Sequence, residues 1–471
     1  MTSRKNKFLI IQVLIASLFL YKYIPLFQSH NIWYDDAHEL LISKVTISDL
    51  KSFMLIADHH IGFSLLLKLI IQLFSFENIY TIIGCLNLGV FILVCYFLSK
   101  KDNFSLEVST VQILILISPV VIDYIYKPKQ YFLDFCIALF LVKYFSVDHN
   151  IKINKVFPLL FLSAFFSNIL VVYFLIPLLK LVNRTKNRLM VYSSLLFTMP
   201  FFLRAYNKFF SESFREYWSS FYESSTQSFI KLFFNNLMFI RNFNDLGLLP
   251  LVIFIVSFGL FRLYKDNKNI LLMVITPVVL LNLLNLINLY PIGAGRTDLI
   301  LFPIFVYSIY YLLKYLSSKI PIIYLLIVLL PIFFFVENNK VREDNTQELI
   351  NNTYLYDFDL LYVSYYSIPQ TILFDSEYGQ PKRVGSKCFY NSIDTKVVFM
   401  QSDRSEKCSP QFNFSNIENE ISNEKKILII GHESKTQNIE NTIKKMGVSK
   451  NNITIEKIGN NELLIAINFN N

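Results

Sequence analysis

Long apolar runs, separated by short clusters of charge, fill the first two thirds of the chain. Runs of about 18 or more apolar residues are long enough to cross a bilayer as helices. Such runs, some a little shorter, lie at Phe8–Phe27, Ile79–Leu98, Val111–Tyr126, Tyr131–Phe145, Leu189–Leu203, Pro250–Tyr264, Ile270–Leu289, Leu299–Leu316 and Ile320–Val336. The stretch Val156–Val182 is too long for one crossing and reads as two short helices that meet near Ser167-Asn168. The pattern predicts a mostly α, polytopic membrane protein with about eleven transmembrane helices.

The charges between the runs set an orientation. Arg4, Lys5 and Lys7 precede the first run, and no small-residue cleavage site follows it, so it reads as an uncleaved anchor with the N-terminus inside. The inside loops then carry Lys100/Lys101, Lys152/Lys155, Arg184/Lys186/Arg188, Arg262/Lys265/Lys268 and Lys314/Lys319, and every one of them is basic. An odd number of spans puts the C-terminus outside. The outside segments are Gln28–Glu77, the short turn Lys127–Gln130, Arg204–Asp245 and Tyr290–Asp298. Two of these are long, and loops on a rigid scaffold commonly carry function.

From Glu337 the pattern changes. Asn and charged residues become frequent, no spanning run occurs, and strand-like runs appear at Leu360–Tyr366, Lys396–Met400, Lys426–Gly431, Ile453–Ile458 and Glu462–Phe469. Gln437–Met446 has helical spacing and stops at Gly447. Gly459-Asn460-Asn461 reads as a hairpin turn. The expected division is a membrane domain over 1–336 and a soluble extracytoplasmic α/β domain over 337–471, in a multi-pass protein of the cell (inner) membrane.

Composition sharpens this picture. The chain of 471 residues is 54% hydrophobic, with 46 Phe and 28 Tyr against 12 Gly, which excludes a disordered or collagen-like chain. The net charge of +9 is uneven: the segment from Glu337 onward carries 15 Lys+Arg and 18 Asp+Glu, so the excess belongs to the membrane part. That distribution argues against nucleic acid as a partner. Cys85, Cys95 and Cys136 fall within spans and read as small apolar residues. Cys388 and Cys408 lie in the outer domain, where an oxidising compartment permits a disulfide; two unpaired buried thiols are the alternative. No CxxC or Cys/His metal pattern is present.

Candidate chemistry concentrates in the first outer loop, Trp33-Tyr34-Asp35-Asp36-Ala37-His38-Glu39, followed by Asp58-His59-His60. Adjacent carboxylates repel, so a pair just outside a span asks for a reason. One carboxylate can take a proton from a hydroxyl nucleophile, and a second can hold a divalent metal. Alternatively, Asp35 or Asp36 caps a helix starting at Ala37, with Glu39 on that helix's surface. His59 and His60 precede an apolar helical stretch, Ile61–Phe76; they could bind a metal or a phosphate, or sit at the interface as satisfied polar residues. Lys127-Pro128-Lys129-Gln130-Tyr131 puts two cations on the face that is otherwise poor in them, suited to a lipid phosphate or simply snorkelling. Tyr290-Pro291-Ile292-Gly293-Ala294-Gly295-Arg296 spends two of the chain's scarce glycines on one turn. The guanidinium of Arg296 could clamp a phosphate or pair locally with Asp298.

This layout resembles the GT-C fold, the membrane glycosyltransferases that use polyprenyl-phosphate sugars, among them the protein O-mannosyltransferases and the aminoarabinose transferase of lipid A. In that superfamily an acidic pair follows the first span, often as Asp-Glu-Ala; Asp35-Asp36-Ala37 is similar, with Asp for Glu. His59-His60-Ile61-Gly62 stands where a His-Pro-Pro-like segment commonly lies, without its prolines. Lys127-Pro128 and Gln130-Tyr131 occupy the place of an Arg-Pro-Tyr turn, and Gly293–Arg296 that of a Gly-rich turn with arginine. The resemblance covers about residues 1–336. It implies Asp35 and Asp36 as catalytic residues or metal ligands, and Asp58, His59, His60, Lys127, Lys129, Tyr131 and Arg296 as substrate-binding residues. It implies a polyprenyl-phosphate-linked sugar as donor, a glycan, lipid or protein as acceptor, membrane lipid around the spans, and inversion at the anomeric carbon. It fixes no cofactor: the acidic pair fits a direct base as well as a divalent-metal site.

Other classes remain open on the sequence. A transporter or flippase of a lipid-linked glycan would place ionisable residues inside spans; Asp134 and Lys143 lie in or near one, most other charges stand at the edges, and Asp123 and Asp134 are the candidates for a transport role. A polysaccharide polymerase or ligase would use the same lipid-linked sugars, with its main loop late in the chain. A structural subunit of an envelope machine would work through its outer domain.

Overall fold

The structure is a computed structural model that describes residues 2–29, 34–44, 61–74, 78–100, 106–116, 118–147, 153–182, 191–193, 196, 249–292 and 299–317, and, further on, 358–364, 368, 371–372, 379–381, 390–392, 397–400, 426–432, 453–458 and 462–467. The chain divides into two compact units. One comprises Met1–Gln28, His60–Phe63 and Glu77–Asn339; the other comprises Ser29–His59, Ser64–Phe76 and Lys340–Asn471.

The first unit is helical. Its described helices are α1 (Thr2–Ser29), α4 (Ile79–Lys100), α5 (Leu106–Leu116), α6 (Pro119–Ile125), α7 (Tyr131–Val147), α8 (Ile153–Phe166), α9 (Leu175–Val182), α10 (Leu249–Asp266), α11 (Lys268–Leu286) and α12 (Pro303–Ser317), with short 3-10 turns at Asn168–Phe174 and Leu299–Leu301. Among the described residues, four segments are helical, long and apolar enough to cross a membrane: Lys5–Pro25, Ile79–Lys100, Lys268–Leu286 and Leu299–Ser317. Shorter apolar helices stand beside them. Two expected runs, Leu189–Leu203 in most of its length and Ile320–Val336, fall outside the described residues, as does the loop 204–245.

Exposure on these helices is that of a membrane protein. Ile10 and Val13 on α1 are 68% and 66% exposed, and Leu93, Phe97, Phe161, Leu162 and Phe254 are exposed as well. An apolar surface of this kind would be a liability in water and suits hydrocarbon. The inside, by contrast, holds polar groups that bond between helices. Gln12 Nε2 donates to Ser109 Oγ at 3.2 Å, Asn87 Nδ2 to the Ile125 carbonyl at 2.7 Å, Tyr173 Oη to the Ile300 carbonyl at 2.6 Å and Tyr307 Oη to the Leu139 carbonyl at 3.0 Å. Such bonds are worth roughly 0.6–2 kcal/mol each between helices in lipid.

Rings fill the remaining space. Phe19, Tyr23 and Phe27 of α1 meet Tyr126 after α6, with Phe27 and Tyr126 centroids 4.9 Å apart. Gly84 of α4 makes room for this cluster: a Cβ there would stand 2.7 Å from the Phe27 ring. Phe91, Phe132, Phe135, Phe302 and Phe305 continue the contact from α4 through α7 to α12.

The expected single span Val111–Tyr126 is instead two helices. Pro119 explains it: the residue before a proline is pushed out of the α region, and Ser118 is extended at φ −68°, ψ 125°, with Pro119 opening α6. The second break comes where it was expected. Ser167 is extended at φ −158°, ψ 121° between α8 and the 3-10 turn. α10 and α11 are separated by Asn267 alone, whose side chain accepts from the Ile270 amide at 3.1 Å and so caps α11. α11 ends on a Schellman motif. Asn288 takes φ 56°, its amide bonds the Asn285 carbonyl, and the Leu289 amide bonds the Leu284 carbonyl.

Basic side chains gather where α10, α11 and α12 end or begin. Arg262 stacks 4.3 Å above the Tyr315 ring, Lys265 stands over Phe261, Lys268 over Tyr264 and Lys314 over Tyr311. Lys180 of α9 reaches Asn269 Oδ1 at 3.1 Å. Aromatic rings with snorkelling cations are the usual make-up of a membrane–water interface.

The second unit contains α2 (Tyr34–Lys44), most of α3 (Ile61–Leu73) and seven strands: β1 (Leu360–Ser364), β2 (Gly379–Pro381), β3 (Tyr390–Ser392), β4 (Val397–Met400), β5 (Ile427–His432), β6 (Ile453–Ile458) and β7 (Glu462–Ile467). Five form one mixed sheet in the order β4-β1-β5-β7-β6. β1 runs parallel to β4 and β5, with Leu361 opposite both Val397 and Leu428; β7 is antiparallel to β5 and β6. Ile427, Leu428, Ile429 and Ile430 are all buried, as expected of a central strand covered on both faces. The antiparallel pairing of β6 and β7 ends with Ile458 opposite Glu462, and the turn expected at Gly459-Asn460-Asn461 lies outside the described residues. The helix expected at Gln437–Met446 lies outside the described residues.

Candidate functional site

The acidic segment opens a helix. α2 begins at Tyr34, so Asp35 and Asp36 are its second and third residues. This corrects the capping alternative: a residue inside the first turn does not cap a helix starting at Ala37. Acids in a first turn do gain from the helix dipole, by about 0.3–1 kcal/mol each when exposed. Asp36 is not exposed; it is 2% accessible. Glu39, expected on the helix surface, is also buried, because it follows Asp36 by three residues and shares its face. Two buried carboxylates one turn apart are expensive unless cations, hydrogen bonds or protons accompany them.

The far end of α2 is held by side chains. Ser43 Oγ donates to the Glu39 carbonyl at 2.9 Å, and Lys68 Nζ of α3 donates to the Ser43 carbonyl at 3.5 Å. A cation at a helix C-terminus opposes the dipole there. Nothing in the sequence pattern marked Lys68, which sits alone in an apolar helix.

In the first unit, the turn between α6 and α7 carries three of the expected substrate-binding residues. Lys127 Nζ lies 5.0 Å from the centroid of the Tyr124 ring, and Tyr124 meets Tyr131 edge to face at 5.6 Å. Pro128 and Gln130 are buried while Lys127 and Lys129 are half-exposed. The Lys129 amide bonds the Lys127 carbonyl at 2.7 Å, and the Asp134 amide bonds the Gln130 carbonyl at 2.8 Å, starting α7. The turn thus holds both ammonium groups at the end of the bundle, with Lys127 and Tyr131 joined through Tyr124.

Asp134, one turn into α7, is 3% accessible. Ser167, at the break after α8, stands beside it, yet neither Asp134 Oδ1 nor Ser167 Oγ has a hydrogen-bond partner. A buried carboxyl with a spare acceptor is a functional candidate in its own right. Cys136 lies close to both Asp134 and Cys95; Cys85, Cys95 and Cys136 are free thiols.

Asp58, His59, His60 and Arg296, together with the Gly293–Arg296 turn and the cysteines Cys388 and Cys408, lie outside the described residues. Among the described residues, no group of three or more His, Cys, Asp or Glu side chains is arranged to hold a metal ion. Comparison with known protein families, with curated proteins and with solved structures gave no match to this chain.

Proposed function

We propose that the protein is an inverting membrane glycosyltransferase of the hexosyltransferase type, moving a sugar from a polyprenyl-phosphate donor to a glycan, lipid or protein acceptor at the outer face of the cell membrane. The observation that carries this reading is the acidic start of α2, directly after the first apolar helix, with Asp36 buried beside Glu39. In this reading Asp35 is the base that takes the acceptor's proton, or the metal ligand that activates the acceptor. Lys127 and Lys129 on their turn, with Arg296, hold the donor phosphate, which is too costly to sink into hydrocarbon. The full proposal has about eleven spans, with residues 337–471 and their mixed sheet as a soluble extracytoplasmic α/β domain.

The test is transfer of radiolabelled sugar from polyprenyl-phosphate donors in membranes, wild type against Asp35→Asn. Loss of about 10²–10⁴-fold in rate is expected. A folded Asp35→Asn protein that keeps most of its turnover sinks the assignment.

A second reading, a transporter or flippase of a lipid-linked glycan, is favoured by one observation, the buried Asp134 with its unbonded Oδ1. It predicts that Asp134→Asn abolishes translocation of the lipid-linked glycan in vesicles while no sugar is transferred by the wild type.

A further inference from the structure

The exposed side of α10 carries a stripe of rings with a cation at its end. Phe254, Phe258, Phe261 and Lys265 follow one another at steps of four, three and four residues, so they share one face of the helix. Neighbouring rings meet, with centroids 6.1 Å apart for Phe254 and Phe258 and 6.3 Å for Phe258 and Phe261. Lys265 Nζ stands 4.5 Å from the Phe261 centroid. Phe254 and Phe261 are 65% and 49% exposed, and Tyr264 beside them is 51% exposed. The stripe from Phe254 to Lys265 is about 16 Å of helix. That is about half the hydrocarbon thickness of a bilayer, or one leaflet.

Further cations stand at the same end. Lys268 Nζ lies 5.0 Å over the Tyr264 ring, Arg262 lies 4.3 Å over Tyr315 of α12, and Lys314 Nζ lies 5.7 Å over Tyr311. Gly259 meets Ser308 and, further along both helices, Arg262 meets Tyr315, so α10 and α12 run in the same direction and end together. Lys265, Lys268 and Lys314 are exposed. Among the described residues of α10, α11 and α12 the one acid is Asp266, 3.6 Å from Arg262. A ring face engages one side of an ammonium group that has three N–H donors. Snorkelling accounts for cations at an interface, but not for the run of exposed rings beneath them. A guest that is anionic above and hydrocarbon below meets both. A phosphate diester accepts charge-assisted hydrogen bonds from ammonium groups. A zwitterionic head group would bring its own cation to an end that is already positive.

We propose that this end of α10 and α12 is a docking surface for an anionic phospholipid. Its phosphate lies at Lys265 and Lys268, Arg262 and Lys314 add to the positive field, and one acyl chain runs along Phe261, Phe258 and Phe254. The proposal does not rest on the glycosyltransferase reading. The probes are phosphatidylglycerol and phosphatidylcholine with the same diazirine-bearing acyl chain, photolysed with the full-length protein in phosphatidylcholine nanodiscs, with the labelled peptides read by mass spectrometry. Phosphatidylglycerol is expected to label α10 at least about fivefold more than phosphatidylcholine, the effect of one engaged cation, and to be displaced by unlabelled phosphatidylglycerol. Lys265→Gln with Lys268→Gln should lower that preference by about fivefold for each cation removed, whereas Lys5→Gln with Lys7→Gln on α1 should leave it in place. Four results would overturn the proposal: equal labelling of α10 by the two lipids, an equal preference at exposed α1 positions such as Ile10 and Val13, an undiminished preference in the Lys265/Lys268 variant, or displacement by water-soluble glycerophosphoglycerol, which has the head group without the chain. The comparison of the two lipids, the α1 positions and the soluble head group all use the wild-type protein, so they decide the matter even if a variant fails to fold.

Discussion

Gly259 of α10 faces the backbone of Ser308 of α12 so closely that a Cβ at position 259 would stand 2.6 Å from the Ser308 carbonyl carbon. The obstacle is main chain, which cannot rotate away. Small residues at such crossings let helices pack in lipid, where no hydrophobic drive separates them from the solvent. Around this point Phe258 meets Tyr315 at 6.0 Å and Arg262 stacks on the same ring, so the two helices are fixed by one close contact and its rim.

Gly259→Leu is therefore expected to destabilise the protein by at least about 1–3 kcal/mol, the usual range for overpacking. Gly89→Ala on α4, where a Cβ would meet nothing within 4 Å, is the control and should stay within about 0.5 kcal/mol. Thermal denaturation in detergent compares the two.

The two neighbouring acids should separate in kinetics. If Asp35 is the base and no metal bridges the pair, Asp36→Asn is milder than Asp35→Asn in sugar transfer. A metal held by both makes the two losses equal and makes the residual activity depend on added Mg²⁺ or Mn²⁺. Titration of each variant with these ions checks it.

Arg296→Ala should raise the KM for the polyprenyl-phosphate donor by about 10–100-fold, the loss of hydrogen bonds to a charged group. Lys127→Ala should raise it too, and also releases Tyr124 from its cation. Unchanged donor KM and turnover in Arg296→Ala would remove that residue from the donor site.

Cys388 and Cys408 are expected to form a disulfide. Closing a loop of about twenty residues contributes roughly 3 kcal/mol on the chain-entropy account. Alkylation of the unreduced, unfolded protein should leave both cysteines unlabelled, and labelling of both contradicts the bond.

A reporter fused after Asn471 should be active only on the outer side of the membrane, with Lys100–Lys101 and Arg184–Arg188 on the inner side. Activity of the C-terminal fusion only in the cytoplasm reverses the orientation.

Much of the helical part was legible because hydrophobic periodicity is the strongest local signal and proline acts locally. The break at Ser167 was readable as excess length. The break at Ser118 was missed although Pro119 announces it, since an apolar proline-containing run still looks like one span. Strands β1, β4, β5, β6 and β7 fall in or beside the apolar runs from which they were expected, yet their order is not local: β1 sits between β4 and β5 through pairings far apart in sequence. The acidic segment was noticed from its charge, but the burial of Glu39 was not, since it depends on which face of α2 is covered. Lys68 was invisible for the same reason, as a single polar residue in an apolar helix carries no pattern.

Asn267 has a consequence for biosynthesis. With a lone residue between α10 and α11, and that residue's side chain already closing the first turn of α11, the two helices form a hairpin complete in local sequence. Such a hairpin can enter the bilayer as one piece while the chain is still being made. In the proposed orientation its cationic tip, Arg262 to Lys268, stays on the side where synthesis occurs, and Gly259 waits for Ser308 until α12 emerges.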